Sequence, residues 1–332
     1  MSTPKFRILS IDGGGVRGII PATILLQLEN LLKTQSGNPD ARLSDYFDMI
    51  AGTSTGGVLT CMYLLPLYSA NDVLQMYITE MPAVFKANWT LWGWTGPKYS
   101  TSGIEQMADK YANGVKLSEL RRACLIPAYC IDNGKAHFFT NKAKVNHPLK
   151  ADYYLKDVAR STTAAPSYFP PSQITNLIGT KETYHMIDGG VFANNPALCA
   201  FAEARELPGK PRIADIFILS ISCGQNYDTF DYPKTLDWGK IGWANPVINV
   251  LIDGNVHTVD YELSEIFDAA NVRDQYVRFD PPLIKASHAL DDHSAANLAA
   301  LQSDAASFLN LESTKQKLSA VASFLTSGKT WT

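Results

Sequence analysis

The chain has 332 residues, with 29 Lys and Arg against 32 Asp and Glu and a formal net charge of −3 at pH 7. That near balance lacks the electrostatic footprint of a nucleic-acid binder, so no nucleic-acid partner is expected. Five scattered cysteines, mostly with apolar neighbours, fit reduced buried thiols rather than a disulfide framework.

The 46% hydrophobic content is that of a globular protein with a substantial core. Residues 1–7 run into a strand without a signal-peptide core, and no apolar run approaches the roughly 18 residues of a membrane span. The expectation is a soluble, cytoplasmic protein, with export by a route that uses no cleaved signal as the alternative. No Cys-x-x-Cys or His-x-x-x-His pair offers a metal site, so neither metal nor cofactor is expected.

Taken in order, residues 6–11 read as a strand, 13–18 as a glycine-rich turn and 21–33 as a helix, with Pro21 suited to its first turn. After a polar loop at 35–40, residues 47–51 form a short strand and 57–65 an apolar helix. Residues 71–85 are helical, with Val73, Leu74, Tyr77 and Met81 near helical spacing. The stretch 87–101 is irregular and holds Trp89, Trp92 and Trp94. Residues 123–131 and 135–139 make a hairpin around Asp132-Asn133-Gly134. Strands come next at 184–188, 216–223 and 275–279, and a helix at 196–206 is opened by Asn195-Pro196. The last fifty residues are mostly helical. This alternation predicts one layered α/β domain with a mostly parallel sheet over residues 1–332. Its core spans about 6–292, with a C-terminal helical segment at about 293–325.

Gly52-Thr53-Ser54-Thr55-Gly56 falls where a strand turns into a helix. There a Gly-x-Ser-x-Gly lifts the serine hydroxyl clear of the backbone as a nucleophile elbow. Gly13-Gly14-Gly15-Val16-Arg17-Gly18 succeeds the first strand and has two meanings. As a dinucleotide fingerprint it needs an acidic residue ending a second strand about 20 residues on. Glu29 lies in a helix and Asp40 in a polar loop, so neither fits well. As an oxyanion hole, successive glycine amides at a helix N-terminus converge on one point.

The serine needs a proton acceptor. The histidines are His137, His147, His185, His257, His288 and His293, and none sits in a clear motif. An α/β-hydrolase triad could draw on Ser54, Asp188 and one of His257, His288 or His293. Ile-Asp-Gly occurs three times, at Asp12, Asp188 and Asp253. Asp12 precedes the glycine loop and Asp253 falls in an apolar helical segment. Asp188 ends a strand before Gly189-Gly190, at the same sheet edge as Ser54, and is the leading base. An ordinary Asp, with a pKa of about 3.9, is a weak base. A dry pocket raises that value and makes a direct Ser-Asp pair chemically sensible.

Together these features resemble the patatin family of lipid acyl hydrolases. The resemblance runs from about residue 8 to about 292. It is strongest in residues 8–22 (ILSIDGGGVRGIIPA), 40–57 (DARLSDYFDMIAGTSTGG), 161–171 (STTAAPSYFPP) and 187–190 (IDGG). It implies a three-layer α/β/α fold and a Ser54–Asp188 dyad. It also implies an oxyanion hole at Gly13, Gly14 and Gly15, with Arg17 in the same loop and Gly52, Gly56 and Gly189 supporting the site. Ala164, Pro166 and Phe169 match a segment that lines or supports it. The substrates implied are fatty-acyl esters of phospholipids, galactolipids or neutral lipids, cleaved without a metal. Against the plant storage members, the chain is expected to lack their signal peptide, has Gly190 where Ala is common, and differs in residues 70–101. A storage protein with residual hydrolase motifs stays open beside the enzyme. Trp89, Trp92 and Trp94 suit either transient membrane contact or core packing. Arg17 suits either a lipid phosphate or a loop brace.

Overall fold

The computed structural model describes residues 6–87, 96–144, 149–225, 230–243 and 246–327. Trp89, Trp92, Trp94 and His147 lie outside the described residues. The strands are β1 (Phe6–Ile11), β2 (Met49–Gly52), β3 (Ala123–Cys130), β4 (Lys135–Thr140), β5 (Ser172–Thr175), β6 (Thr183–Asp188), β7 (Ile216–Ile221) and β8 (Tyr276–Phe279). They form one sheet in the order β5-β6-β3-β2-β1-β7-β8, with β4 paired to β3. The run β3-β2-β1-β7-β8 is parallel, whereas β4, β5 and β6 pair antiparallel.

Strand side chains alternate between faces, and that alternation divides the core in two. On β1, Leu9 and Ile11 join one cluster and Ile8 the other. On β7, Phe217, Leu219 and Ile221 face one way and Ile216 and Ile218 the other. The first cluster is covered by helices Ile19–Ser36, Thr55–Leu64, Ala70–Val84, Ala295–Asn310 and Glu312–Ser327. The second is covered by Ala197–Ala204 and by Pro246–Ala269, which buries Val259, Leu263 and Phe267 at four-residue spacing. The result is the three-layer α/β/α arrangement with a mostly parallel sheet. Among the described residues no helix is long and apolar enough to cross a membrane.

Helices Ser102–Ala112 and Leu155–Thr162 and strand β5 are additions to the elements expected from sequence. The elbow strand starts at Met49 rather than Phe47 and runs to Gly52, and the next helix starts at Thr55.

Strand β3 brings two distant strand ends together. β4 occupies one edge of β3 along residues 125–130, so the opposite edge is shared end to end. There β2 pairs with Ala123 to Leu125, and β6 arrives from the other direction to pair with residues 128–130. Pro127 sits in the gap between the two partners, where its missing N–H costs no ladder bond. The C-terminal ends of β2 and β6 therefore meet head on.

Candidate active site

β2 leaves the sheet at Gly52, and Ser54 takes φ 55 and ψ −120 before helix Thr55–Leu64 begins. Few non-glycine residues hold such a backbone unless their surroundings impose it. The neighbours do so. A Cβ on Gly52 would lie 2.0 Å from the Gly56 carbonyl oxygen, and one on Gly56 would lie 2.2 Å from that of Ile11. The Ser54 N–H donates to Thr162 Oγ1 at 2.9 Å, and Thr162 Oγ1 donates to the Pro127 carbonyl at 2.7 Å. Sequence reasoning misses Thr162, because it does not expect the helix Leu155–Thr162 that presents it.

Asp188 ends β6 directly opposite this turn. Ser54 Oγ donates to Asp188 Oδ2 at 2.6 Å, and the Gly190 N–H donates to Oδ1 at 2.7 Å. The Asp188 N–H donates to the Ala164 carbonyl at 3.0 Å. A Cβ on Gly189 would fall 2.4 Å from the Pro127 carbonyl oxygen, so the turn needs glycine there. Burial pushes the Asp188 carboxyl up to about 7, and the hydrogen bonds from Ser54 and Gly190 offset this only in part. At neutral pH this carboxyl is divided between a proton-accepting and a proton-carrying form.

The glycine loop faces the same point from β1. Gly14 and Gly15 line the cavity that contains Ser54 and Asp188. Gly15 has φ 58, and a Cβ there would lie 2.1 Å from the Leu290 carbonyl oxygen. Gly13 differs from the expectation. Its N–H donates to the Asn194 carbonyl at 3.0 Å, and Asn194 Nδ2 donates back to the Gly13 carbonyl at 3.3 Å. An amide committed to a carbonyl does not offer its hydrogen to an oxyanion, so only Gly14 and Gly15 stay as candidate donors. Asn194, which no sequence motif marks, ties the loop to the turn after Asp188. Arg17 is buried, and its Nε donates to the Gly14 carbonyl at 3.3 Å, which is a bracing contact. Asp12 is buried beneath the loop in an ion pair with Arg278 at 2.7 Å, and Arg278 also donates to Ser220 Oγ. That pairing holds the buried guanidinium charged.

Among the described hydrogen bonds, no imidazole joins Ser54 or Asp188. His293 stacks on Phe85, with ring centroids 6.0 Å apart. His257 borders a separate recess beside Asp12, and His288 borders another beside Asn249. His137, packed against Phe139, is driven down to about 4 by burial. Neither acidic candidate for a dinucleotide site ends a strand. Glu29 is buried and takes the Ala70 N–H at 3.0 Å and Lys33 Nζ at 2.9 Å, and Asp40 is exposed in its loop. Among the described residues no group of three His, Cys, Asp or Glu side chains is placed to hold a metal ion.

The cavity beyond Ser54 is apolar. Val58, Met81, Val84, Phe85, Met107 and Phe169 line it, and about 810 Å³ is free of atoms when open solvent at its mouth is included. Pro166 also lines it, whereas Ala164 is buried and acts through its carbonyl.

Residues 9–201 match the family model described as Patatin-like phospholipase. That span runs from β1 into helix Ala197–Ala204 and contains the glycine loop, Ser54 and Asp188. "Patatin-like protein 2" of Oryza sativa subsp. indica is 34% identical over 327 residues, covering 88% of this chain and 80% of the relative. "Patatin-like protein 2" of Arabidopsis thaliana is 36% identical over 304 residues, covering 82% and 74%. "Patatin-08" of Solanum tuberosum is 33% identical over 316 residues, covering 89% and 81%. The chain belongs to the patatin-like phospholipase family, and its class of activity is lipid acyl hydrolysis.

Proposed function

We propose that the chain is a serine lipid acyl hydrolase that works through Ser54 and Asp188, with Gly14 and Gly15 as the oxyanion donors. The observation that carries this reading is the 2.6 Å hydrogen bond from Ser54 Oγ to a buried Asp188 whose pKa is raised to about 7. A base is most effective when its pKa lies near the working pH.

In the first half-reaction Ser54 Oγ attacks the ester carbonyl carbon and its proton passes to Asp188 Oδ2. The carbonyl oxygen becomes an oxyanion, which the Gly14 and Gly15 amides receive. Each such donor is worth roughly 3 kcal/mol in the transition state. Collapse breaks the bond to the alcohol, which leaves with the proton from Asp188. A water then attacks the acyl-serine carbonyl and gives its proton to Asp188. The acid departs, and Ser54 Oγ recovers the proton. The apolar cavity accepts the acyl chain. The substrates are fatty-acyl esters of the phospholipid, galactolipid or neutral-lipid kind.

A panel of p-nitrophenyl esters and defined phospholipids tests the reading. Turnover by the wild type that Ser54→Ala reduces to background is the expected result. Equal turnover by both proteins, or none by the wild type across the panel, would overturn it, and the second result would favour a storage role.

A further inference from the structure

The first turns of helix Pro246–Ala269 carry two apolar stripes. Ile248 and Ile252, four residues apart, line the cavity that holds Ser54 and Asp188. Val247, Val250 and Leu251 share the adjoining face and are 41%, 46% and 50% exposed. A surface helix ordinarily turns polar residues to solvent. Here the apolar surface continues from the cavity wall onto the outside of the molecule.

The preceding segment is also rich in exposed apolar side chains. Tyr232 and Leu236 are 73% and 64% exposed, and Trp243 is partly exposed. Rings of Phe230, Trp238 and Trp243 meet edge-on at 5.2 to 6.2 Å, which packs the chain on either side of the short helix Tyr232–Thr235 against helix Lys240–Trp243. The charged residues of 230–251 are Asp231 and Asp237 against Lys234 and Lys240, with Lys234 paired to Asp231 at 3.4 Å. That segment thus has apolar and amphipathic aromatic tips and no net charge. Single exposed apolar side chains are ordinary, but seven large ones in one short stretch of chain, from Phe230 to Leu251, mark an interaction site.

We propose that this surface docks on a lipid aggregate of no net charge, such as a phosphatidylcholine bilayer, and sets the mouth of the acyl cavity against the layer that supplies substrate. Two observations select this occupant. The exposed stripe continues the wall of a cavity suited to acyl chains, and the balanced charge matches neutral headgroups rather than an anionic surface. The proposal rests on the hydrolase reading above. It assigns contact to residues 230–243 and 246–251, a different segment from Trp89, Trp92 and Trp94.

Co-sedimentation with phosphatidylcholine vesicles tests it, run beside hydrolysis of soluble p-nitrophenyl butyrate. Wild type is expected to partition onto the vesicles to the same extent at low and high salt. The double variant Val250→Ser with Leu251→Ser is expected to lose about tenfold or more in partitioning while keeping its rate on the soluble ester. Tyr232→Ser with Leu236→Ser, at the two ends of the separate helix Tyr232–Thr235, is expected to do the same, so a fold defect in one helix cannot imitate the result. The proposal is overturned by unchanged partitioning in both variants, by no partitioning of the wild type, or by partitioning that requires anionic lipid. A wild-type dimer that these substitutions dissociate would also overturn it, since the face would then bury a second copy. If partitioning falls in the variants but no protein hydrolyses the soluble ester, docking is supported and the hydrolase reading is what fails.

Discussion

Asn194 and Gly13, 181 positions apart, are joined by reciprocal hydrogen bonds between the turn after Asp188 and the glycine loop. The carboxylate strand and the loop that would receive an oxyanion are thereby held as one piece. Removing the side-chain half of this link lets the loop shift without touching Ser54 or Asp188. Asn194→Ala is therefore expected to lower kcat by roughly ten- to a hundredfold, because displacements near 1 Å can have that effect. KM should change little. Steady-state kinetics on a soluble ester checks this, and a change confined to KM would argue against the coupling.

The buried Asp188 gives the activity a definite pH profile. Below pH 7 the carboxyl carries its proton and cannot take one from Ser54, so kcat/KM is expected to fall as pH drops through about 7. Stability runs the opposite course. The folded pKa lies above the unfolded value of about 3.9, so the folded state holds a proton that the unfolded chain has released. The stability this group contributes is fully present below about pH 4 and is lost as pH rises through 7. Asp188→Asn does not titrate and escapes this loss. Measured by urea unfolding, the variant should gain on the wild type between pH 4 and 7 by up to about 1.4 kcal/mol per pH unit. No further gain is expected above that range. A constant difference across the range would contradict the assignment.

Thr162 tests whether the elbow is held from outside. Its hydroxyl is the acceptor for the Ser54 amide and a donor to the Pro127 carbonyl. Thr162→Val keeps the shape but leaves both backbone groups without that partner, at a cost of about 1–3 kcal/mol. Thr162→Ser should recover most of that loss. Thermal or urea unfolding of the two variants, with kcat as a second readout, decides it.

The ion pair under the glycine loop makes a separate prediction about stability. Arg278 is buried against Asp12, so Asp12→Ala leaves a guanidinium without its nearest counter-charge. Breaking a buried pair in this way costs about 3–5 kcal/mol. The fall in urea midpoint should exceed that of an exposed control such as Asp274→Ala. A change no larger than the control's would mean that Asp260 and Asp280, each 3.9 Å from Arg278, compensate.

The elbow is legible in the sequence because its determinants are local. Small residues at Gly52 and Gly56 flank a serine between a short apolar strand and an apolar helix. The two-faced burial of β1 and β7 is legible in neighbouring apolar residues that point to opposite faces, Ile8 and Leu9 in β1 and Phe217 and Ile218 in β7, as a sheet covered on both sides requires. The way Asp188 reaches Ser54 is not. It depends on β6 running antiparallel along the part of the β3 edge that β2 leaves open, a register set by contacts far apart in the chain. The commitment of Gly13 to Asn194 is illegible for the same reason, since a backbone hydrogen bond between distant residues leaves no mark on residue type. Thr162 is hidden because the helix that presents it has few apolar residues, and its neighbours Arg160 and Ser161 read as polar surface although both are buried.

The most direct measurement is intact-protein mass with peptide mapping after exposure to a fluorophosphonate, at pH 5.5 and pH 8. One adduct on Ser54 is expected in the folded wild type, forming faster at pH 8 than at pH 5.5. Asp188→Asn should suppress it, and Ser54→Ala should abolish it. An adduct on another residue, or labelling of Ser54 that is as fast without the Asp188 carboxylate, would contradict the Ser54–Asp188 account.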